Sequence, residues 1–373
     1  MPWRGVTVQD QREEFVRLAR CDGANVSELC RRFGISRKTG YKWLERLDAG
    51  RSLADGSKRP HHSPNATPAQ MQQRVLDVRA RHPAWGARKI AHVLLRDQEI
   101  VLAVSTVNSI LQRHGLVPEA ASQASRPWQR FEHERPNALW QMDFKGHFPV
   151  GDIRCHALTV LDDHSRFAVV LQALAGERFD CVQAQLISTF ERYGLPERIN
   201  ADNGPPWGTG CQGISALSIW LTSLDVRLSH SRPAHPQTNG KDERFHRTLK
   251  AEAIGSRSLR DLQEVDTEFS RWRHVYNHER PHEALGMHTP VERYRPSPRA
   301  MPATPPQPHY EPHDLVRRVQ HGGWISVLGR EVRLSSALRG RSIALRPRVQ
   351  EDGVYDVYFF NRKIEEIDLT AFD

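Results

Sequence analysis

The 373-residue sequence is short of several signals at once. Its five cysteines, Cys21, Cys30, Cys155, Cys181 and Cys211, are odd in number and never spaced as Cys-x-x-Cys. That argues against a disulfide framework and against structural zinc, even though the chain holds 19 histidines. No apolar run approaches the roughly 18 residues of a membrane span, and the first residues lack the apolar core of a secretion signal. A cytoplasmic chain with free thiols is the expectation.

Excess negative charge is also missing. The net charge is +9, and residues 1–136 carry 23 Lys and Arg against 14 Asp and Glu, while the remaining 237 carry 30 of each. The whole surplus therefore lies in the first third. This asymmetry points to an amino-terminal nucleic-acid-binding region joined to a separate catalytic body. Ordinary surface charge is the bland alternative. The length predicts two to four domains.

Residues 1–50 read as three helices. Thr7 is placed to cap the first, which carries Phe15, Val16 and Leu18. Val26, Leu29, Cys30 and Phe33 share a face of the second, Gly34 supplies a turn, and Ser36 caps the third. That is helix-turn-helix spacing. The third helix presents Arg37, Lys38, Tyr41 and Lys42 near its amino end, where a major-groove reader makes its contacts. Gly40 is a mismatch, costing about 1 kcal/mol relative to Ala inside a helix, and a generic helical bundle competes with this reading.

Residues 51–66 form a polar, basic linker in which Lys58 and Arg59 could follow a minor groove or simply face solvent. Residues 67–117 repeat the helical pattern. Thr67-Pro-Ala-Gln70 is a start signal, with Met71, Val75 and Val78 as the buried stripe. Ile90, Val93 and Leu94 face inward on a second helix. Ser105 can cap a third, with Val107, Ile110 and Leu111 inward. A second helix-turn-helix or winged-helix-like DNA-binding unit is expected, followed by a connector over 118–136.

From residue 137 the period changes. Apolar runs at 139–150, 154–162 and 166–173, separated by short turns, predict an antiparallel meander. A helix over 179–193, short strands ending at Ala201 and Ser229, and two long helices at 239–255 and 260–278 complete a central α/β layer ending near 295. A proline-rich linker at 296–312 leads into a β-rich domain over 313–373, either a small barrel or a sheet.

Three acidic residues in this central region stand in unlike settings. Asp143 lies in the strand Trp140-Gln-Met-Asp-Phe-Lys145, where alternation places Gln141, Asp143 and Lys145 on one face. Asp202 opens Asp-Asn-Gly; Asn203 and Gly204 already supply turn chemistry, which frees Asp202 for another task. Glu243 lies at the start of an amphipathic helix, on a stripe with Asn239, Arg247 and Lys250. Each has a plain alternative: a solvated strand acid, a turn acid, or an (i, i+4) ion pair. Asp242 competes with Glu243 but suits an Asn239-x-x-Asp242 cap. Gathered together, three carboxylates repel, and hard divalent cations are their natural partners, most simply Mg²⁺. Two such ions at a phosphorus centre support phosphodiester chemistry.

The segments Trp-Gln-Met-Asp143, Asp162-Asp-His-Ser-Arg166, Asp202-Asn-Gly204, His235-Pro-Gln-Thr-Asn-Gly-Lys-Asp-Glu243 and Tyr276-Asn-His-Glu-Arg-Pro-His-Glu-Ala-Leu285 resemble the integrase-core transposases of bacterial insertion sequences. The resemblance covers roughly residues 137–295. It implies an RNase H-like fold related to retroviral integrases. It also implies that Asp143, Asp202 and Glu243 are both the catalytic set and the ligands of two Mg²⁺ ions, with Mn²⁺ as a substitute. The implied activity is that of a DNA transposase: binding terminal inverted repeats, freeing 3′-OH ends and joining them to target DNA. Element ends and target are double-stranded DNA, end pairing implies a homo-oligomer, and the setting is the bacterial nucleoid. Lys241, Arg244 and Arg247 would meet phosphates, and Asp162 and Asp163 would be structural, partnered by Arg166. Forty residues separate Asp202 from Glu243, read as a loop insertion near Trp207–Gly213. Helix-turn-helix modules stand where retroviral integrases carry a His-His-Cys-Cys zinc module. A plain RNase H-type nuclease and a catalytically dead DNA-binding regulator are the alternatives.

Overall fold

The computed structural model describes residues 7–56, 66–117, 132–202, 204, 207, 214–230, 240–255 and 259–372. The chain divides into two compact units, Met1–Thr67 and Pro68–Asp373.

In the first unit, α1 (Val8–Ala19), α2 (Val26–Arg32) and α3 (Arg37–Asp48) close around Phe15, Val16, Cys30, Trp43 and Leu53. Thr7 and Asp10 form a reciprocal capping box, and the Ser36 hydroxyl accepts from Thr39 N–H. Gly34 takes φ +64°, the left-handed turn between α2 and α3. Packing explains Gly40. A Cβ there would stand 2.6 Å from Cys30 Sγ and 2.9 Å from Phe15 Cζ, so the weak helix former is what lets α3 approach α1 and α2.

The second unit begins with α4 (Ala69–Arg81), α5 (Ala87–Gln98) and α6 (Val104–Arg113). Their core is Val75, Val78, Trp85, Ile90, Leu94, Val107, Ile110 and Leu111. Two expected caps are displaced. Helix α4 starts one residue later, at Ala69 after Pro68, and Ser105 lies inside α6, whose N-cap is Ala103. In both cases the chain turns helical where the apolar stripe requires it rather than where the hydroxyl stands.

The central sheet has the order β3-β2-β1-β4-β5, from β1 (Trp140–Val150), β2 (Ile153–Asp162), β3 (Ala168–Leu174), β4 (Arg198–Ala201) and β5 (Arg227–His230). The first three strands pair antiparallel and the last two join parallel, which is the RNase H-like arrangement. One face packs Trp140, Met142, Leu158 and Val160 against α7 (Phe179–Tyr193) and α8 (Ala216–Ser223). The other packs Cys155, Ala157, Leu161 and Leu171 against α9 (Gly240–Leu249) and α10 (Leu262–His274). Both long helices end in a π turn, Lys250–Ile254 and Val275–Glu279, which the helical period alone did not reveal.

Helix α10 and its π turn run along the free edge of β3. Asn277 accepts from Ala168 N–H (2.8 Å) and donates to Ala168 C=O (3.0 Å); Arg273 donates to Val169 C=O and Asp266 accepts from Ala173 N–H. Beyond the short α11 (Pro290–Arg293), the carboxyl-terminal segment forms two sheets. β6 (Leu315–Arg318), β9 (Ser342–Pro347), β10 (Val354–Phe359) and β11 (Arg362–Asp368) make a four-stranded antiparallel sheet; β7 (Trp324–Val327) and β8 (Arg330–Arg333) make a ribbon. No closed barrel forms among the described residues, so of the two expectations the sheet holds.

Candidate active site

Strand alternation directs Trp140 and Met142 into the α7 side of the core and leaves Gln141 and Asp143 on the face covered by α9. Asp143 lies directly across from Thr159 of β2. On its other side β1 runs parallel to β4, with Gln141 opposite Asn200, and continuing that register by two residues brings Asp202 level with Asp143. Asp202 is exposed just past the end of β4, its Oδ1 accepting from Gly204 N–H at 3.1 Å. Glu243 is exposed in the first turn of α9. Three distant segments thus converge on one end of the sheet.

The electrostatics record that convergence. Asp143 is pushed up to about 6, first by burial and then by the negative charge of Asp202, with Glu177 and Glu243 adding to it. Such a set of hard oxygens fits a divalent cation, which would relieve the repulsion. Among the described residues the three side chains are not closed into a formed cage.

His246, three residues beyond Glu243 on α9, had no role in the sequence reading. Its Nε2 lies 2.9 Å from Thr159 Oγ1 and its Nδ1 4.0 Å from Asp143 Oδ2, while Thr159 Oγ1 donates to the Asp143 carbonyl at 2.9 Å. Burial first, and then Lys145, hold the imidazole down at about 4, so it is neutral at physiological pH. It latches the Glu243 helix onto the Asp143 strand pair. The signal available in the sequence was its (i, i+3) spacing from Glu243.

Asp242 behaves quite differently from its neighbour. It is 2% exposed, and its Oδ1 has no hydrogen-bond partner among the described residues. Burial, with Asp143 and Asp163 nearby, raises it well above the usual carboxylate range. The Asn239 half of the expected cap lies outside the described residues, as do Lys58 and Arg59. Lys241 is turned inward and ion-paired with Asp163 rather than directed to solvent, because it lies on the α9 flank nearest the β2–β3 corner. Arg244 and Arg247 are exposed on α9; Arg37, Lys38, Tyr41 and Lys42 are exposed on α3. At the corner itself, Arg166 reaches the Asp163 carbonyl and Glu132, not the two carboxylates.

Comparison with known proteins bears on these observations. Residues 133–236 and 224–290 each match an integrase core domain, and residues 314–372 match the IS481 family transposase C-terminal domain. The chain thus carries an integrase core, followed by a segment similar to the carboxyl-terminal domain of an insertion-sequence transposase family. Residues 11–61 match a helix-turn-helix domain and 39–111 a homeodomain-like domain. The chain is 24% identical over 237 residues to the insertion element IS476 uncharacterized 39.2 kDa protein of Xanthomonas euvesicatoria, covering 62% of this chain and 67% of that one. It is 27% identical over 157 residues to the insertion element IS407 uncharacterized 31.7 kDa protein of Burkholderia multivorans, covering 42% of this chain and 55% of that one. A simian T-cell lymphotropic virus intasome, solved in complex with PP2A regulatory subunit B56 gamma, aligns at 17% identity and TM-score 0.39 over 79% of this chain and 96% of that one. Among the described residues no helix is long and apolar enough to cross a membrane.

Proposed function

We propose that this chain is a DNA transposase that cuts at the ends of an insertion sequence and joins the freed 3′-OH groups to target DNA. The observation that carries the proposal is the like-charge meeting of Asp143, Asp202 and Glu243 at one end of an integrase-core sheet. Asp143, Asp202 and Glu243 would hold two Mg²⁺ ions, which when bound supply Lewis-acid activation of the attacking oxygen and charge neutralisation at the leaving one. His246 keeps α9 seated on β1 and β2, so that the carboxylates approach from fixed elements. Arg244 and Arg247 offer phosphate contacts from the exposed face of α9.

Arg37, Lys38, Tyr41 and Lys42 of α3 read the terminal inverted repeat in the major groove, with Lys58 and Arg59 following the adjacent minor groove. Two ends reacting together call for a homo-oligomer, acting on DNA in the bacterial cytoplasm. In this division of labour residues 1–50 and 67–117 bind DNA and 137–295 catalyse.

The test is Glu243→Gln, assayed on duplexes carrying the DNA found at the element's ends. The carboxamide is isosteric but a poor metal ligand. Cutting and joining should both fall by at least about a thousandfold, in the range set by losing essential charge stabilisation, while duplex affinity stays within about twofold of wild type. A variant that still cuts and joins removes Glu243 from the site. Wild-type protein that cuts but never joins would show a nuclease instead.

A further inference from the structure

The second helical module and the core belong to one compact unit, and a cleft of about 520 Å³ opens where they meet. It is lined by Arg88 and Lys89 of α5, Ser105 and Asn108 of α6, and Glu283 from beyond the π turn that follows α10. Charge there is out of balance. Lys89 is surrounded by Arg280, Glu283, Glu252 and Arg244, and burial followed by Arg280 holds its ammonium down at about 8. Both acids are already committed: Glu283 to Arg88 at 3.3 Å, and Glu252 to Arg280 at 3.1 Å and to the Trp272 indole N–H at 3.0 Å. Lys89 and Arg244 have no ion-pair partner among the described residues. A half-buried ammonium crowded by arginines, beside a hydroxyl and an amide, is a setting that an anion completes.

Arg244 is also the residue next to Glu243, so the positive field of the cleft extends onto the helix that carries the third carboxylate. Resting on the transposase reading above, we propose that this cleft seats DNA backbone phosphates. A duplex gripped by Lys89, Ser105 and Asn108 would be led along Arg244 to Asp143, Asp202 and Glu243 of the same chain. The second module thereby acts as a guide into the active site, not as a tethered reader independent of it.

Two variants test the seat on a fluorescein-labelled DNA duplex of arbitrary sequence, because phosphates are common to all duplexes. Lys89→Glu reverses the central charge. Ser105→Glu places a carboxylate in the exposed first turn of α6, where it favours the helix and leaves folding intact. Each should bind about tenfold more weakly, with the slope of log affinity against log salt reduced by about one. Ser105→Glu should also melt at or above the wild-type temperature. Ser105→Glu or Lys89→Glu protein that folds and binds with wild-type affinity and slope overturns the phosphate seat. Metal-dependent cutting by wild-type protein is measured separately, so the transposase reading can fail while the cleft stands, or the reverse.

Discussion

Asp163, in the turn just past β2, and Asp143, on the adjoining strand β1, are respectively buried and half-buried, but it is their surroundings that differ in kind. Asp163, 1% exposed, accepts from His133 N–H at 2.9 Å and Gln141 Nε2 at 2.6 Å and is ion-paired with Lys241. Asp143 instead faces Asp202, Glu177, Glu243 and a neutral imidazole. One carboxylate is completed by the protein, and the other is left short of positive charge. The sign of what surrounds each, more than its depth, distinguishes the structural acid from the candidate catalytic one.

Removing the satisfied acid should do the most damage to the fold. Asp163→Ala strands the Lys241 ammonium and the Gln141 amide in the interior, at about 3–5 kcal/mol for breaking a buried pair. A shift in the urea unfolding midpoint equivalent to less than about 1 kcal/mol would break the contrast.

The unsatisfied acid should respond in the opposite direction. With a native value of about 6 against a reference of 3.8, folded Asp143 holds its proton more tightly than the unfolded chain does. Metal-free wild-type protein should therefore gain stability from Asp143 as pH falls from 7 toward 4, on the order of 2 kcal/mol. Asp143→Asn removes the repulsion at neutral pH and should raise the metal-free melting temperature. Because His246 is held near 4, its own contribution declines as pH falls below its ordinary value of 6.5. The variant should then lose stability more steeply on acidification than wild type. A flat comparison across that range would count against the crowding of Asp143.

Asp242 sharpens the contrast at its smallest scale. Its burial favours the protonated acid, so Asp242→Asn should change unfolding free energy by less than about 1 kcal/mol and leave cutting intact, unlike Glu243→Gln one residue away. Loss of cutting in Asp242→Asn would move Asp242 into the active site.

Much of this was legible in the chain. Alternation put Asp143 on the polar face of its strand, and Val75, Ile90, Val107 and Ile110 are buried where their spacing placed them. What stayed hidden depends on partners distant in sequence. Helical spacing gives the face on which Asp242 and His246 stand, but not that the β2–β3 corner lies under one and Thr159 beside the other. Gly40 reads as a defect until Cys30 and Phe15 are seen against it. The inward turn of Lys241 and the charge imbalance around Lys89 likewise arise only when separated elements pack together.

The side chains of Asp266, Arg273 and Asn277 along β3 have one more consequence. An outer strand normally offers its unpaired amides and carbonyls to any extended chain that drifts past. Here a helix impersonates the missing neighbour, and Asn277 supplies both halves of a peptide group to Ala168. That border of the sheet is closed to recruitment, which guards a protein expected to crowd together on DNA against sticking through strand-to-strand contact there.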